Sequence, residues 1–275
     1  MPEMKPLIFL TNDDGIHSPG IKAALQALVD LGEVHVLAPS EQSTSSARST
    51  PVIPNIIIQE HELSLENGRK HPALSINGTP AHCVQYAMLN TLPRRPDLVV
   101  SGINYGLNIA TGVTNSGTVG ATLEAAAFHL RSVAISMGTP SDADFSLSHS
   151  SSLDFATARH FLSKGVRAML SNQIMPPVQI LKIEIPHNAS LNTPWEVNPL
   201  SKERFYVPIM QEKNDGREHM WYTIDQSQDR FEEGSDAHTV LFKKKVSFTP
   251  LSADLTANLH IQTLSEQLDP YLKEN

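Results

Sequence analysis

Two spacings of apolar residues alternate along the first 185 positions. Short apolar runs of the kind found in buried strands occur at Leu7–Leu10, Val34–Ala38, Asp97–Val100, Val133–Ser136 and Val178–Ile185. Between them the apolar residues recur at helical spacing. The first such stretch places Ile21, Ala24, Leu25, Leu28 and Leu31 on one face, with Ser18 as its cap, Pro19 at the first helical position and Gly32 as the stop. Further helices are expected over Ala81–Leu92, Thr118–Leu130 and from about Leu153 to Leu170. Val52–Gln59 and Ala73–Ile76 read as strands, and the polar excursion between them as a hairpin-like extension. Strands alternating with helices predict an α/β fold, a Rossmann-like, doubly wound and mostly parallel sheet.

The pattern changes after Pro186. Helical periodicity is weak from Asn188 to Gly234, and short β-like runs appear at Arg204–Ile209 and His219–Ile224, read as a protruding β-hairpin. Thr239–Phe248 alternates like a strand, and Leu259–Leu272 is amphipathic, able to pack back or to cross to a neighbouring subunit. The expected division is a core over residues 1–187 and, continuous with it, an extension and C-terminal arm over 188–275 assigned to oligomerisation.

In open α/β sheets ligands bind at the carboxyl ends of the strands, so the loops there carry the candidate chemistry. The first apolar run is followed at once by Thr11-Asn12-Asp13-Asp14-Gly15. Adjacent carboxylates repel and call for a cation or for solvent, and a hard divalent cation takes oxygen ligands. A plain solvated turn is the competing reading of Asp-Asp-Gly. The second strand leads into a serine- and threonine-rich loop over 40–50 that contains Ser43, and the run Asp97–Val100 leads into a small-residue and amide loop with Asn104 and Asn108. Asn115-Ser116-Gly117-Thr118-Val119-Gly120 opens the next helix, where free backbone N–H groups suit a phosphate, or where a simple cap suffices. The inventory at this edge is carboxylates, hydroxyls and amides, without His or Cys at zinc spacing. It favours Mg²⁺, Mn²⁺ or Ca²⁺ over zinc. A hard metal beside an anion seat points to phosphoryl chemistry.

Composition narrows the field. The chain has 275 residues, 40% of them apolar, enough for one large domain and against global disorder. Its formal charge is −8, and Lys243-Lys244-Lys245, in a strand-like run, reads as an edge or solvated face, so duplex nucleic acid is not an expected partner. Cys83 is the one cysteine and reads as a small core residue. The N-terminal run is too short for a signal peptide and no apolar run approaches a membrane span, which reads as a soluble cytoplasmic protein. No Gly-x-Gly-x-x-Gly, P-loop or Gly-x-Ser-x-Gly occurs, which argues against a dinucleotide fold, that type of ATPase and a serine hydrolase.

The chain resembles the SurE family of stationary-phase survival proteins. The resemblance rests on Leu10–Ile16, Ser18–Ile21, Ala38-Pro39 with Glu41-Gln42-Ser43, Asn77–Ala81 with Cys83-Val84, Pro96–Asn104 and Ser116–Ala121, in the family's order. It is looser at Leu181–Pro186 and from Gly234-Ser235-Asp236 to Pro250-Leu251. It implies a divalent-metal-dependent phosphomonoesterase that releases phosphate from nucleoside monophosphates, a 5′-nucleotidase, with one Mg²⁺ or Mn²⁺ per subunit. By the same resemblance the metal ligands fall on Asp13, Asp14, Ser43 and Asn104, and the phosphate contacts on Ser116, Gly117 and Thr118. Asn12 and Asn108 join them as candidate phosphate-binding amides, and Asp13 doubles as a candidate base, the alternative being a metal-bound water. The resemblance also implies a homo-oligomer, dimer or tetramer, built by exchange of the C-terminal arm. Two departures stand out: Thr44-Ser45-Ser46-Ala47-Arg48 replaces a smaller run after Ser43, and His82, which reads as a helix-surface residue, stands where an acid is common. The rival readings are a phospho-acceptor signalling domain and a nucleotide-binding protein without turnover.

Overall fold

Leu7–Thr11, strand β1, lies inside a nine-stranded sheet, and its alternate side chains account for a layer on each side. Ile8 and Leu10 face one layer and Phe9 the other, all essentially without solvent exposure. A strand covered on both faces must be apolar throughout, which is why these runs lack the usual alternation. The computed structural model describes residues 5–140, 153–171, 173–174, 176–212, 217–225, 227–256 and 261–272. The remaining strands are β2 (Glu33–Pro39), β3 (Ile58–Ser64), β4 (Lys70–Ile76), β5 (Leu98–Tyr105), β6 (Ser132–Met137), β7 (Ile180–Ile185), β8 (Trp195–Val197), β9 (Tyr206–Glu212), β10 (Glu218–Ile224) and β11 (Val246–Leu251). The helices are α1 (Pro19–Leu28), α2 (Pro80–Tyr86), α3 (Gly117–Ala127), α4 (Ala156–Leu170), α5 (Asp236–Leu241) and α6 (Ile261–Leu272).

The sheet order is β3-β4-β2-β1-β5-β6-β7-β11-β8. The run from β4 to β7 is parallel, β3 and β11 join antiparallel, and β8 lies parallel to β11. Helices α1 and α4 cover one face, where Leu25, Leu28, Phe161, Leu162 and Val166 pack on Val100, Val133 and Ile183. Helices α2 and α3 cover the other, with Val84, Ala121 and Ala125 against Phe9, Leu37 and Val99. This is the doubly wound, mostly parallel sheet that the apolar pattern predicts.

Local structure departs from the sequence expectation at several places. Residues 52–57 are not strand; the chain pairs only from Ile58, because Pro51 and Pro54 cannot donate to a ladder. The polar excursion is itself β3 and β4, an edge hairpin turning at Gly68. Strand β5 runs on to Tyr105 instead of ending at Val100. Its register against β6 shifts between Ser101 and Asn104, a bulge that re-aims the end of the strand. Only glycine fits inside that bulge: Gly102 has φ +126°, and a Cβ there would stand 2.3 Å from the Ile135 carbonyl oxygen. Thr239–Leu241 is helix, and the lysine triplet is the turn before β11. Ser235 caps α5 by accepting from the His238 N–H at 3.2 Å, and Ala237 and Val240 bury against Phe205 and Phe231 at helical spacing. His82 is buried and completes the cap of α2, its Nδ1 accepting from the Thr79 N–H at 3.2 Å and its Nε2 lying 2.8 Å from the Pro51 carbonyl. Cys83 is buried in the core, as expected, and burial pushes its thiol pKa up.

Beyond residue 187 the chain is not detached from the sheet, since β8 and β11 extend it. Strands β9 and β10 form a separate two-stranded hairpin, and α6 follows as a C-terminal arm with Leu264, Leu268, Tyr271 and Leu272 exposed. Residues 259 and 260, at the start of the expected last helix, lie outside the described residues. No helix among the described residues is long and apolar enough to cross a membrane.

Helix α3 lies so close to the loop after β2 that a Cβ on Gly120 would stand 1.9 Å from the Ala47 carbonyl oxygen. Gly120→Ala is therefore expected to force this loop off the helix and to cost about 1–3 kcal/mol, as overpacking does. Urea unfolding of the variant beside the parent protein measures it, and an unchanged midpoint would contradict the packing.

Candidate functional site

Asp13 and Asp14 follow β1 directly and are 6% and 3% exposed, so the plain solvated turn does not describe them. Three contacts hold the turn. Asn12 donates its side-chain amide to the Gly15 carbonyl at 3.0 Å, the Ser43 N–H donates to the Asp13 carbonyl at 2.7 Å, and the Thr118 hydroxyl donates to Asp13 Oδ1 at 2.6 Å. Asp14 has weaker support, with Gln42 Nε2 and the Tyr105 N–H each 3.4 Å from its carboxylate oxygens. Among the described residues no Lys, Arg or His forms an ion pair with either carboxylate.

Burial raises the pKa of Asp13, against the pull of the Thr118 hydroxyl and nearby backbone amides. Burial and the negative charge of Asp13 together raise Asp14 well above the ordinary carboxylate value. Two desolvated like charges side by side are a source of free energy that a cation releases.

The bulged end of β5 brings Asn104 to the same place. Both hydrogens of its amide are taken, by the Tyr105 and Gly106 carbonyls at 3.0 Å each, which leaves Oδ1 as the acceptor. The Thr118 hydroxyl occupies Asp13 Oδ1, which leaves Oδ2 as the other carboxylate oxygen of this residue. Ser46 Oγ is buried without a hydrogen-bond partner; the Cβ position of Gly117 lies 2.6 Å from it and 3.0 Å from Asp13 Oδ2. Free oxygen acceptors thus gather around a carboxylate pair that lacks a counter-charge. No group of three or more His, Cys, Asp or Glu able to hold a metal exists among the described residues, so any ion here takes a mixed set of carboxylate, amide and hydroxyl oxygens. That set suits a hard divalent cation.

These residues open on a cavity of about 370 Å³. Asp13, Asp14, Asn104, Asn108 and Ser116 line it. Of the other sequence candidates, Asn12, Gly117 and Thr118 are buried behind the wall, and Ser43 is half-buried between the lining residues Gln42 and Thr44. Asn12 and Thr118 hold the Asp turn, the Ser43 backbone is tied to Asp13, and Gly117 packs beside it. Ser116 lines the cavity while its hydroxyl caps α3 by accepting from the Val119 N–H at 3.1 Å.

Two groups of residues were not anticipated from sequence. The first is a fully buried charge cluster below the loop after β5. Lys182 Nζ donates to the Asn108 carbonyl and to Asp236 Oδ2, both at 3.0 Å, and lies 3.5 Å from Glu184 Oε1. Glu184 Oε2 accepts from the Asn108 N–H at 3.0 Å, and Asp236 accepts from the N–H groups of Ala110 and Ser201. Burial lowers the Lys182 pKa, but the two carboxylates outweigh it and the net shift is upward; burial pushes Glu184 up to about 7 against the attraction of Lys182. Charged residues two apart in an otherwise apolar strand, Lys182 and Glu184, were the available signal. The second group is Tyr206, Pro208, Met220 and Tyr222 of the β9–β10 hairpin, which line the same cavity.

The family model for survival protein SurE matches residues 8–206. A protein named 5′-nucleotidase SurE from Thermococcus kodakarensis is 37% identical over 262 residues, 95% of this chain and 98% of the relative. One of the same name from Archaeoglobus fulgidus is 36% identical over 95% of this chain and 97% of its own. Among solved structures, the Sure protein from Aquifex aeolicus superposes with a TM-score of 0.75 at 27% identity, covering 98% of this chain and all of the other.

Replacing Lys182 by Met would leave Glu184 and Asp236 buried without a cation. The expected loss of stability is roughly 3–5 kcal/mol, the range for breaking a buried ion pair from one side. Urea denaturation reads it, and a loss under about 1 kcal/mol would show that the cluster is not desolvated in solution.

Proposed function

The chain belongs to the SurE family, and from that membership and the geometry of the cavity we propose that it is a divalent-metal-dependent phosphomonoesterase that hydrolyses nucleoside monophosphates to nucleoside and phosphate. The observation that carries the reading is the pair of buried carboxylates, Asp13 and Asp14, with no counter-charge, beside free oxygen acceptors on the wall of a nucleotide-sized cavity. Asp13, Asp14, Ser43 and Asn104 are the side chains that would hold the ion. When bound, a divalent cation neutralises the carboxylate pair, withdraws charge from a phosphoryl oxygen and makes a coordinated water more acidic.

The chain's own residues then have distinct tasks. The first turn of α3 offers backbone N–H groups that have no partner within the helix, and Ser116 and Asn108 add side-chain donors for the remaining phosphate oxygens. Thr118 fixes one oxygen of Asp13, so the other keeps a single orientation. In the reaction water adds to phosphorus, the ester P–O bond breaks, and the leaving oxygen of the nucleoside takes a proton. Asp13 is a weak candidate for moving that proton, because its free oxygen is wanted by the cation. The exposed leucines and Tyr271 of α6 support a homo-oligomer in which this arm is covered by another copy.

Asp14→Asn removes one of two like charges and one ligand. Phosphate release from a nucleoside monophosphate in Mg²⁺ or Mn²⁺ is expected to fall at least about 100-fold, the upper end of what losing even an outer-shell metal partner costs. In EDTA the same variant is expected to melt at or above the parent's temperature, since the repulsion is gone. Activity within a few-fold of the parent would overturn the assignment. So would undiminished hydrolysis by the parent protein after exhaustive chelation.

A further inference from the structure

We propose that one face of the β9–β10 hairpin is the nucleobase platform of the cavity, holding the base by stacking on Tyr206 and Tyr222; this rests on the nucleotidase reading above. The register pairs Tyr206 with Ile224, Pro208 with Tyr222 and Met210 with Met220. Residues directly opposite in a ladder share a face, so these six side chains form one apolar surface. Four of them, Tyr206, Pro208, Met220 and Tyr222, line the same cavity as Asp13, Asp14 and Asn104. A phosphate held at those oxygens therefore shares its cavity with ring faces, a proline and a thioether.

The rings differ in how they are held. The Tyr206 hydroxyl donates to the Leu107 carbonyl at 3.1 Å, and its ring packs edge-on to Phe205 at 4.8 Å between centroids, so its orientation is set by the core. Tyr222 remains 43% exposed, a large ring open to the cavity. This face contributes neither carboxylate nor amide, and the Tyr206 hydroxyl is committed. Its grip is on the π-face that every base presents rather than on the hydrogen-bonding edge.

The test compares AMP with ribose 5-phosphate, which has the same phosphate and sugar but no base, in Mg²⁺ or Mn²⁺ with the full-length protein. The parent is expected to prefer AMP in kcat/KM. Tyr222→Ala is expected to reduce that preference roughly ten-fold, the scale of losing one base–aromatic stack, and to do so through KM. Tyr222→Phe keeps the ring and is expected to retain the preference. If Tyr222→Ala leaves the ratio of the two substrates unchanged, whether activity falls on both or on neither, the platform is overturned while the nucleotidase reading stands. If the parent releases phosphate from neither substrate, the nucleotidase reading fails and the platform falls with it.

Discussion

Two adjacent buried carboxylates with no ion-pair partner among the described residues are the constraint around which the rest of this structure is arranged. Water would relieve their repulsion at no cost to the fold, yet Asp13 and Asp14 are 6% and 3% exposed. Keeping them dry requires support from elements far apart in the chain: Thr118 from α3, the backbone of Ser43 from the loop after β2, and the Tyr105 amide from β5. The arrangement raises both pKa values, and a divalent cation held between the carboxylates would relieve their repulsion.

The Lys182–Glu184–Asp236 cluster extends that logic to a second layer. A buried ion cluster is rarely the most stabilising use of three core positions. Here each member also binds backbone of the loop after β5: the Asn108 carbonyl to Lys182, the Asn108 N–H to Glu184 and the Ala110 N–H to Asp236. The cluster therefore fixes where Asn108 meets the cavity. It also joins residue 236 to a strand of the parallel sheet, while Phe205, Phe231 and Val240 pack on Leu107 and Ile109 from the same side. The C-terminal third is thus tied through Asp236 to the loop that carries Asn108.

What could be read in the sequence follows from range. The parallel strands were legible because burial on both faces leaves a continuous apolar run, and the Asp pair and the Ser116 cap because turns and caps are local events. The strand expected at Val52 fails because Pro51 and Pro54 lack the N–H groups a ladder needs, whatever the apolar content around them. The strand expected from Thr239 fails because Val and Thr are poor discriminators on their own; the Ser235 cap and burial of Ala237 and Val240 against distant aromatics decided for helix. The extension of β5 through a bulge, which sets the direction of Asn104, depends on its contact with Ile135 and left no local trace beyond Gly102. The pairing of Lys182 with Asp236 spans 54 positions and had no local trace at all, although two charges inside an apolar strand marked half of it.

The two linings of the cavity stand on elements of very different rigidity. The oxygen-rich lining is built from the ends of β1 and β5, inside the sheet, and the start of α3, packed on its face. The apolar lining is carried by a two-stranded hairpin whose strands belong to no larger sheet and whose Met210, Met220, Trp221 and Tyr222 are exposed. An isolated hairpin is marginal in stability, and regions with little buried apolar surface open at the lowest free-energy cost. The oxygen-rich lining must hold oxygen atoms to within tenths of an ångström for an ion, whereas stacking tolerates displacement of a ring in its plane. The demanding contact thus falls to the packed core and the tolerant one to the hairpin. The Tyr206–Leu107 hydrogen bond is the point where the two regimes meet, since it ties the base of the hairpin to the same loop that the buried lysine holds from below.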